Sequence, residues 1–292
     1  DDISNWNVSS VTDMSFMFAE ASSFNQNIGA WNVSSVTNMN SMFAGASSFN
    51  QPLSEWDVSS VTGMNNTFGR ASSFNQDIGG WDVSNVTDMS FMFYNASSFN
   101  QDISDWNVSN VTNMRYTFGR ASAFNLPIGD WDVSSVTDMS AMFAGASSFN
   151  QDIGGWDVSK VTNMGYMFYE ATAFNQDISG WCVTNITSEP SNFSTNSALI
   201  NDNKPVWETC PSLGVNDQNL MNVSLYPNPT ENTLFISGNE NTIAVAIYDV
   251  LGKEVLSIKN TNTVNVQALP SGVYTIRISD GVRQTNRKFI KN

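Results

Sequence analysis

A tryptophan recurs at intervals of 25 residues without a single insertion or deletion. It occupies Trp6, Trp31, Trp56, Trp81, Trp106, Trp131, Trp156 and Trp181. A fixed period of this length is typical of repeat architectures, in which no unit can bury its apolar face alone and each one stacks on its neighbours. We therefore expect residues 1–187 to form a series of near-identical units packed in one geometry.

Apolar residues follow a fixed pattern inside each unit, as residues 74–93 illustrate. Three of them have the spacing of a leucine-rich-repeat strand with one buried face, namely Ile78, Trp81 and Val83. The next four follow at intervals of three or four, which predicts a short helical or 3-10 segment: Val86, Met89, Met92 and Phe93.

An asparagine directly follows the core phenylalanine of every unit. The row consists of Asn25, Asn50, Asn75, Asn100, Asn125, Asn150 and Asn175. A turning backbone leaves N–H and C=O groups unpaired, and burying such groups is costly. We expect these amides to bond to the backbone of the next unit, forming a ladder along the array.

The units resemble the BspA-like class of bacterial leucine-rich repeats, in a 25-residue variant with the pattern FNQDIxxWDVSxVTxMxxMF. The resemblance implies a bacterial surface protein of a kind often linked to adhesion, with no enzymatic activity in the repeats. The predicted fold class is a leucine-rich-repeat-like solenoid of short parallel strands and short helical or 3-10 segments, followed by a small all-β sandwich.

The pattern decays after Trp181, and we expect residues 188–210 to cap the stack. The apolar residues available for this cap are Phe193, Leu199, Ile200, Val206 and Trp207. The chain has one pair of cysteines, Cys182 and Cys210. A single pair at a domain edge favours one disulfide formed in an oxidising compartment; the alternative is two reduced thiols.

Residues 211–221 have the composition of a linker, and residues 222–292 that of a small β-domain. Alternating apolar residues predict about seven short strands, beginning with Val223 and Leu225, in a small β-sandwich.

Four motifs of this second domain resemble the type A sorting domain of the type IX secretion system of Bacteroidetes. They are Tyr226–Thr230 (YPNPT), Asp249–Lys253 (DVLGK), Leu269–Tyr274 (LPSGVY) and Arg287–Lys291 (RKFIK). The resemblance implies that residues 222–292 engage the type IX machinery and direct passage from the periplasm to the extracellular or outer-membrane surface. In many members a surface sortase then removes the domain.

Composition argues against several function classes. The chain contains no histidine, which removes the commonest general base and the commonest transition-metal ligand, so we expect no enzyme and no resident cofactor. Residues 1–181 hold 18 acidic and 4 basic side chains, a net charge of −14 that would repel nucleic acid. No apolar run approaches the roughly 18 residues that span a bilayer.

The candidate site is a polar stripe beside the tryptophans. Residues one before, one after and three after each tryptophan are expected to point outward. The predicted ligand-binding residues are Asn32, Asp57, Asp82, Asn107, Asp132, Asp157, Ser59, Ser84 and Ser134. The predicted partner is an extracellular protein or glycan.

Neighbouring carboxylates on this stripe suggest calcium. The pairs Asp57 with Asp82 and Asp132 with Asp157 are expected about 5 Å apart, where each raises the pKa of the other unless a cation lies between them. The alternative is a solvated face without metal. A second polar row is expected to cap the helical segments: Asp13, Asn38, Asp88, Asn113, Asp138 and Asn163.

The leading functional hypothesis is a binding or adhesion module outside the cell. The alternatives are a structural spacer or surface-layer element, and a surface for ice or mineral. The rows beside the tryptophans are nearly uniform, which favours a repetitive ligand over a unique one.

Overall fold

The computed structural model describes residues 2–211, 223–237, 244–249, 253–259, 261–279 and 284–292. The chain divides into two compact units, Asp1–Pro211 and Ser212–Asn292. Apart from Pro211, the predicted linker lies outside the described residues. The described residues include no helix that is long and apolar enough to cross a bilayer.

The first unit is a stack of 25-residue coils, each built from consecutive tight turns. In these turns a backbone N–H donates to the carbonyl three residues earlier, as Trp81 does to Ile78 at 3.1 Å. One isolated parallel bridge per repeat joins each coil to the next, through Asp13, Asn38, Gly63, Asp88, Asn113, Asp138 and Asn163. The 3-10 helix Asn201–Asn203 is the only helix within the described part of the chain.

The predicted leucine-rich-repeat-like solenoid is wrong. Neither the expected parallel strands nor the expected helical or 3-10 segments are present in the described repeats. The regular secondary structure of the described residues is almost entirely β and lies in the second unit. The backbone N–H groups of Phe91 and Phe93 donate to carbonyls 24 residues later, whereas those of Met92 and Tyr94 donate three residues back. Phe91 also has a φ of 60°. A helix needs every N–H to point back along its own chain and negative φ throughout, so the spacing of three to four here arises from turns.

The tryptophans form the centre of the stack, as their period predicts. Trp31 to Trp181 are buried, and each indole N–H donates to a carbonyl 28 residues earlier, as from Trp106 to Ile78 at 3.1 Å. The rings of Trp106 and Trp131 lie parallel with centroids 6.5 Å apart. Trp6, in the first coil, is 54% exposed.

The predicted asparagine ladder is confirmed. The backbone N–H of Asn100 donates to Oδ1 of Asn75 at 2.9 Å. The same bond, at 2.9 to 3.0 Å, links each asparagine of the row to the previous one, from Asn25 to Asn175. Ile200 extends the ladder by donating its N–H to Asn175. Each coil is therefore tied to the next by a side chain as well as by its backbone.

Residues after Trp181 cover the last coil. Phe193 and Leu199 are buried in the core of the stack, and Trp207 packs against it. Ile200 and Val206, two of the apolar residues assigned to the cap, are exposed. Their backbone rather than their side chains holds the segment: Ile200 donates to the ladder, and the Val206 carbonyl accepts from Thr209. The predicted Cys182–Cys210 disulfide is present.

Within its described residues, the second unit has seven strands at the positions that the alternating apolar residues predict. They are β1 Ser224–Tyr226, β2 Thr233–Ser237, β3 Ala244–Tyr248, β4 Glu254–Lys259, β5 Thr263–Asn265, β6 Gly272–Ser279 and β7 Gln284–Lys291. Two antiparallel sheets have the orders β1-β2-β5 and β4-β3-β6-β7. Leu234 and Val264 from one sheet share a core with Ile247 and Ile276 from the other.

We expect Trp106→Phe to destabilise the stack by about 1–3 kcal/mol, because it removes the indole hydrogen bond to the Ile78 carbonyl and part of a buried side chain. The measurement is the urea midpoint of unfolding. Trp6→Phe is the matched control and should shift the midpoint far less, since Trp6 is largely exposed. Equal shifts for the two variants would contradict a structural role for the indole hydrogen bond.

Candidate functional site

The polar stripe beside the tryptophans is exposed as predicted. Six of its predicted residues are exposed: Asn32, Asp57, Asp82, Asn107, Asp132 and Asp157. The hydroxyl residues Ser59, Ser84 and Ser134 are half-buried. The structure thus places all nine predicted ligand-binding residues at the surface of the first unit, in successive coils.

The acid and amide side chains of this stripe close turns in their own coils. Oδ1 of Asp57 accepts the backbone N–H of Ser59 at 3.1 Å and its hydroxyl at 2.6 Å. Asn32 makes the same pair of bonds with Ser34, at 3.1 and 2.8 Å. This is the geometry of an Asx-turn, in which a side-chain oxygen mimics a backbone acceptor. The stripe therefore has a structural role in closing these turns.

Those hydrogen bonds decide the acidity of the stripe. The hydroxyl and then the backbone amide of Ser59 hold the pKa of Asp57 below its ordinary value, while the charge of Asp82 acts weakly in the opposite direction. The pKa of Asp157 is lowered in the same way by Ser159, with Lys160 adding to the effect. The expectation of raised pKa values is wrong, because hydrogen bonding to the charged form outweighs like-charge repulsion.

The polar stripe is also the predicted calcium site. Within the described ranges, no group of three or more acidic, cysteine or histidine side chains is placed to hold an ion. Calcium between the predicted pairs, Asp57 with Asp82 and Asp132 with Asp157, stays a prediction.

The second polar row also closes turns. Oδ1 of Asp88 accepts the backbone N–H of Ser90 at 2.8 Å, and Asn38 accepts that of Asn40 at 3.0 Å. The bond is the one expected of a helix cap, but it precedes a turn. The predicted helix-capping role is therefore wrong for the whole row: Asp13, Asn38, Asp88, Asn113, Asp138 and Asn163.

The structure reveals a second surface, which we call the turn face. It consists of the four positions per coil that correspond to Arg115, Tyr116, Gly119 and Arg120. Tyr116 and Arg120 have φ values of 55° and 58°, and their counterparts in other coils are left-handed as well. The residues equivalent to Tyr116 vary from coil to coil: Phe16, Ser41, Asn66, Phe91, Ala141 and Tyr166. Aligning the repeats by position shows this variation, because the apolar positions of the pattern are nearly constant.

Aromatic rings and cations gather on the turn face. The rings of Phe91 and Tyr116 stack with centroids 5.0 Å apart, and Tyr94 meets Tyr116 edge-on at 5.5 Å. The Arg115 guanidinium lies 5.8 Å from the Phe91 ring and 5.5 Å from the Tyr116 ring, within the range of a cation–π contact.

An ion pair crosses another part of the same face. Glu20 pairs with Arg70, two coils away. The intervening Gly45 has a φ of 76°, and a Cβ there would lie 2.6 Å from Oε2 of Glu20. Both partners are well exposed, so the pair contributes little stability. It does show that the charge on the turn face differs from coil to coil. Three of the four basic residues of residues 1–181 lie on the turn face: Arg70, Arg115 and Arg120.

Two motifs of the second unit meet although they lie far apart in sequence. Asn228, in the YPNPT motif, donates from Nδ2 to the Lys288 carbonyl at 3.2 Å and accepts the Ile290 N–H at 2.9 Å. Thr230 donates its N–H to Ile290 at 2.9 Å. These bonds hold the YPNPT motif against β7. Residues 250–252 of the DVLGK motif lie outside the described residues.

Two family models match the chain. The model described as Mycoplasma protein of unknown function, DUF285, matches residues 1–106 and 90–207. The model described as secretion system C-terminal sorting domain matches residues 224–292. No curated protein matches the chain at a significant level.

We expect the first unit to lose stability in acid. The folded-state pKa values of Asp57, Asp82, Asp132 and Asp157 are lowered, so their stabilising effect is complete above the ordinary aspartate value of about 3.9 and is lost as pH falls through the folded values. Melting temperature measured from pH 7 to pH 2 should stay level at first and then fall below about pH 4.

The matched variant replaces those four aspartates by asparagine, the residue that Asn32 and Asn107 already supply at equivalent positions. It should fold at pH 7 and show a shallower loss in acid, because an amide keeps the acceptor without titrating. An unchanged acid profile would show that these turns do not control the pH response. The calcium hypothesis is tested by measuring the melting temperature of the unaltered chain and of this variant with and without calcium. If calcium binds between the aspartates, it should raise the melting temperature of the unaltered chain and not that of the variant.

Proposed function

Because the chain belongs to the DUF285 family and ends in a secretion system C-terminal sorting domain, we propose that it is an exported binding or adhesion protein. The sorting domain indicates type IX secretion to the cell surface or beyond. The repeats would then present a rigid surface to an extracellular protein or glycan. A BspA-like surface protein is the finer identification that we propose.

The turn face carries this proposal. A surface that touches a specific ligand needs side chains placed at particular points, whereas a spacer needs only uniform packing. The turn face breaks the uniformity of the coils with aromatic side chains and arginines, the residue types enriched at binding hot spots. The Phe91, Tyr94 and Tyr116 cluster with Arg115 is its densest part.

The uniform stripe beside the tryptophans suits the alternatives, a spacer or an ice- or mineral-binding surface. Its acid and amide groups already close turns, as Asp57 does with Ser59, which explains their regularity without a ligand. Catalysis is also disfavoured, since the chain has no histidine. A non-enzymatic binding role accounts for the varied face and for the uniform stripe together.

We expect the double variant Phe91→Ala, Tyr94→Ala to bind extracellular ligands at least about tenfold more weakly, because it removes two packed aromatic side chains. Binding of the full chain would be measured on arrays of extracellular-matrix proteins and of glycans. The triple variant Ser59→Ala, Ser84→Ala, Ser134→Ala is the control on the polar stripe and should bind normally. Loss of binding in the control alone would move the site to the stripe, and no binding by the unaltered chain would favour the spacer.

Deleting residues 284–292 should abolish surface display in a bacterium with type IX secretion. The deletion removes β7, which pairs with β6 along Gly272–Ser279 and receives the YPNPT motif through Asn228. Antibody labelling of intact cells, compared with labelling of lysed cells, gives the readout. The Phe91, Tyr94 variant should reach the surface normally. Undiminished display of the truncated chain would show that this strand is dispensable for export.

A further inference from the structure

A groove opens on the turn face between the coils that carry Tyr116 and Tyr166. Its volume is about 380 Å³, within the range of small-molecule sites, and its lining includes Arg115, Tyr116, Ser140, Ala141, Asn163 and Tyr166. The groove exists because Ala141 occupies the left-handed position that tyrosine fills in the coils on either side. One small side chain thus leaves a gap between two aromatic ones.

The Ser140 hydroxyl has no hydrogen-bond partner among the described residues, although the residue is only 9% exposed. Its equivalent two coils earlier, Ser90, accepts an amide N–H from Asn65 at 2.5 Å. The residue that should supply this donor to Ser140 is Arg115, whose guanidinium lies over aromatic rings instead. On the other side Gly165 has no side chain to offer. A buried hydroxyl without a partner is costly, and Ser140 is one of the residues that line the groove.

We propose that the groove binds one hexose unit of an extracellular glycan. The sugar ring lies between Tyr116 and Tyr166, and one ring hydroxyl bonds to the Ser140 hydroxyl, which both donates and accepts. The Asn163 amide and the Arg115 guanidinium supply further polar contacts at the rim. This assignment rests on the proposed binding function and names its ligand class and its site.

The lining fits a sugar better than a peptide or a metal ion. A peptide strand would need free backbone groups, but the Tyr116 N–H already donates to the Ser140 backbone carbonyl at 3.0 Å and the Ala141 N–H to the Gly165 carbonyl at 2.8 Å. A metal would need several oxygen ligands with negative charge, and no acidic residue lines the groove. Aromatic walls with a hydroxyl and an amide between them match a ring that has apolar faces and polar edges.

The repeats offer a variant that fills the groove without a new backbone strain. Ala141→Tyr places at this left-handed position the residue that Tyr116 and Tyr166 already place at theirs. Ser41→Tyr introduces tyrosine at the equivalent left-handed position four coils earlier, where it also removes the hydrogen bond from Asn66 to the Ser41 hydroxyl, and serves as the control. Binding of the full-length variants would be measured by calorimetry with free oligosaccharides of glucose, galactose and mannose, both neutral and uronic-acid-containing.

We expect the unaltered chain to bind at least one of these oligosaccharides, with Ala141→Tyr weakening that affinity at least about a hundredfold by exclusion. Tyr166→Ala should weaken it about tenfold or more, and Ser140→Ala about two- to tenfold, the effect of one hydrogen bond. Ser41→Tyr should bind as the unaltered chain does. Equal affinity of Ala141→Tyr and Ser41→Tyr for the oligosaccharide would show that the sugar binds elsewhere on the chain. That result would overturn the assignment of the groove as the sugar site and leave the proposed binding function intact.

Ser140→Ala remains informative if the tyrosine variant fails to fold. Removing an unpartnered hydroxyl breaks no internal hydrogen bond, so its melting temperature should be unchanged or higher while sugar binding falls. Ser90→Ala is the control and should melt lower, because it strips Asn65 of an acceptor. A lower melting temperature for Ser140→Ala with full sugar binding would assign Ser140 a structural role and overturn the proposal. Protein binding through the turn face without any oligosaccharide binding would overturn only the ligand class.

Discussion

The bond from each tryptophan indole to a carbonyl 28 residues earlier is the interaction on which the first unit depends. It requires the next coil to arrive at one height and one rotation, because a buried indole N–H left without its acceptor is costly. The asparagine ladder imposes the same interval independently, as the bond from Asn125 to Asn100 shows. Two ladders with one period explain why the repeats tolerate substitution but contain no insertion. A single extra residue would break every contact between two coils at once.

That redundancy also explains which parts of the fold were predictable. The tryptophan period and the asparagine row each name a partner one coil away, so stacking and the ladder followed from the sequence. The local backbone did not follow, because apolar spacing of three to four fits a helix and a series of turns equally well. What separates the two is where each N–H points, and Phe91 sends its N–H to the next coil. That choice depends on the neighbouring coil, which no single repeat reveals.

The candidate site was predictable only where side chains repeat. The exposure of Asp57 and Asp82 followed from their alternation with buried residues, but their pKa values did not, because the decisive hydrogen bonds come from serines two residues on in the same turn. The turn face escaped prediction since its positions lie between those of the conspicuous methionines and phenylalanines. Its signal is variation at fixed positions, which appears only when the coils are aligned and compared.

In this chain, the uniform positions hold the coils together, and the varied positions of the turn face differ in what they present to the solvent. Positions whose side chains bond one coil to another must stay the same, since an altered member removes a hydrogen bond from its neighbour. The turn face projects away from those bonds: Ala141, Tyr116 and Tyr166 share one backbone conformation and the same coil-to-coil hydrogen bonds whatever the side chain. A coil can change what it presents there without changing how it stacks. Ser140 marks the limit of that freedom, because it leaves a buried hydroxyl without a partner in a fold that otherwise repeats its hydrogen bonds coil after coil.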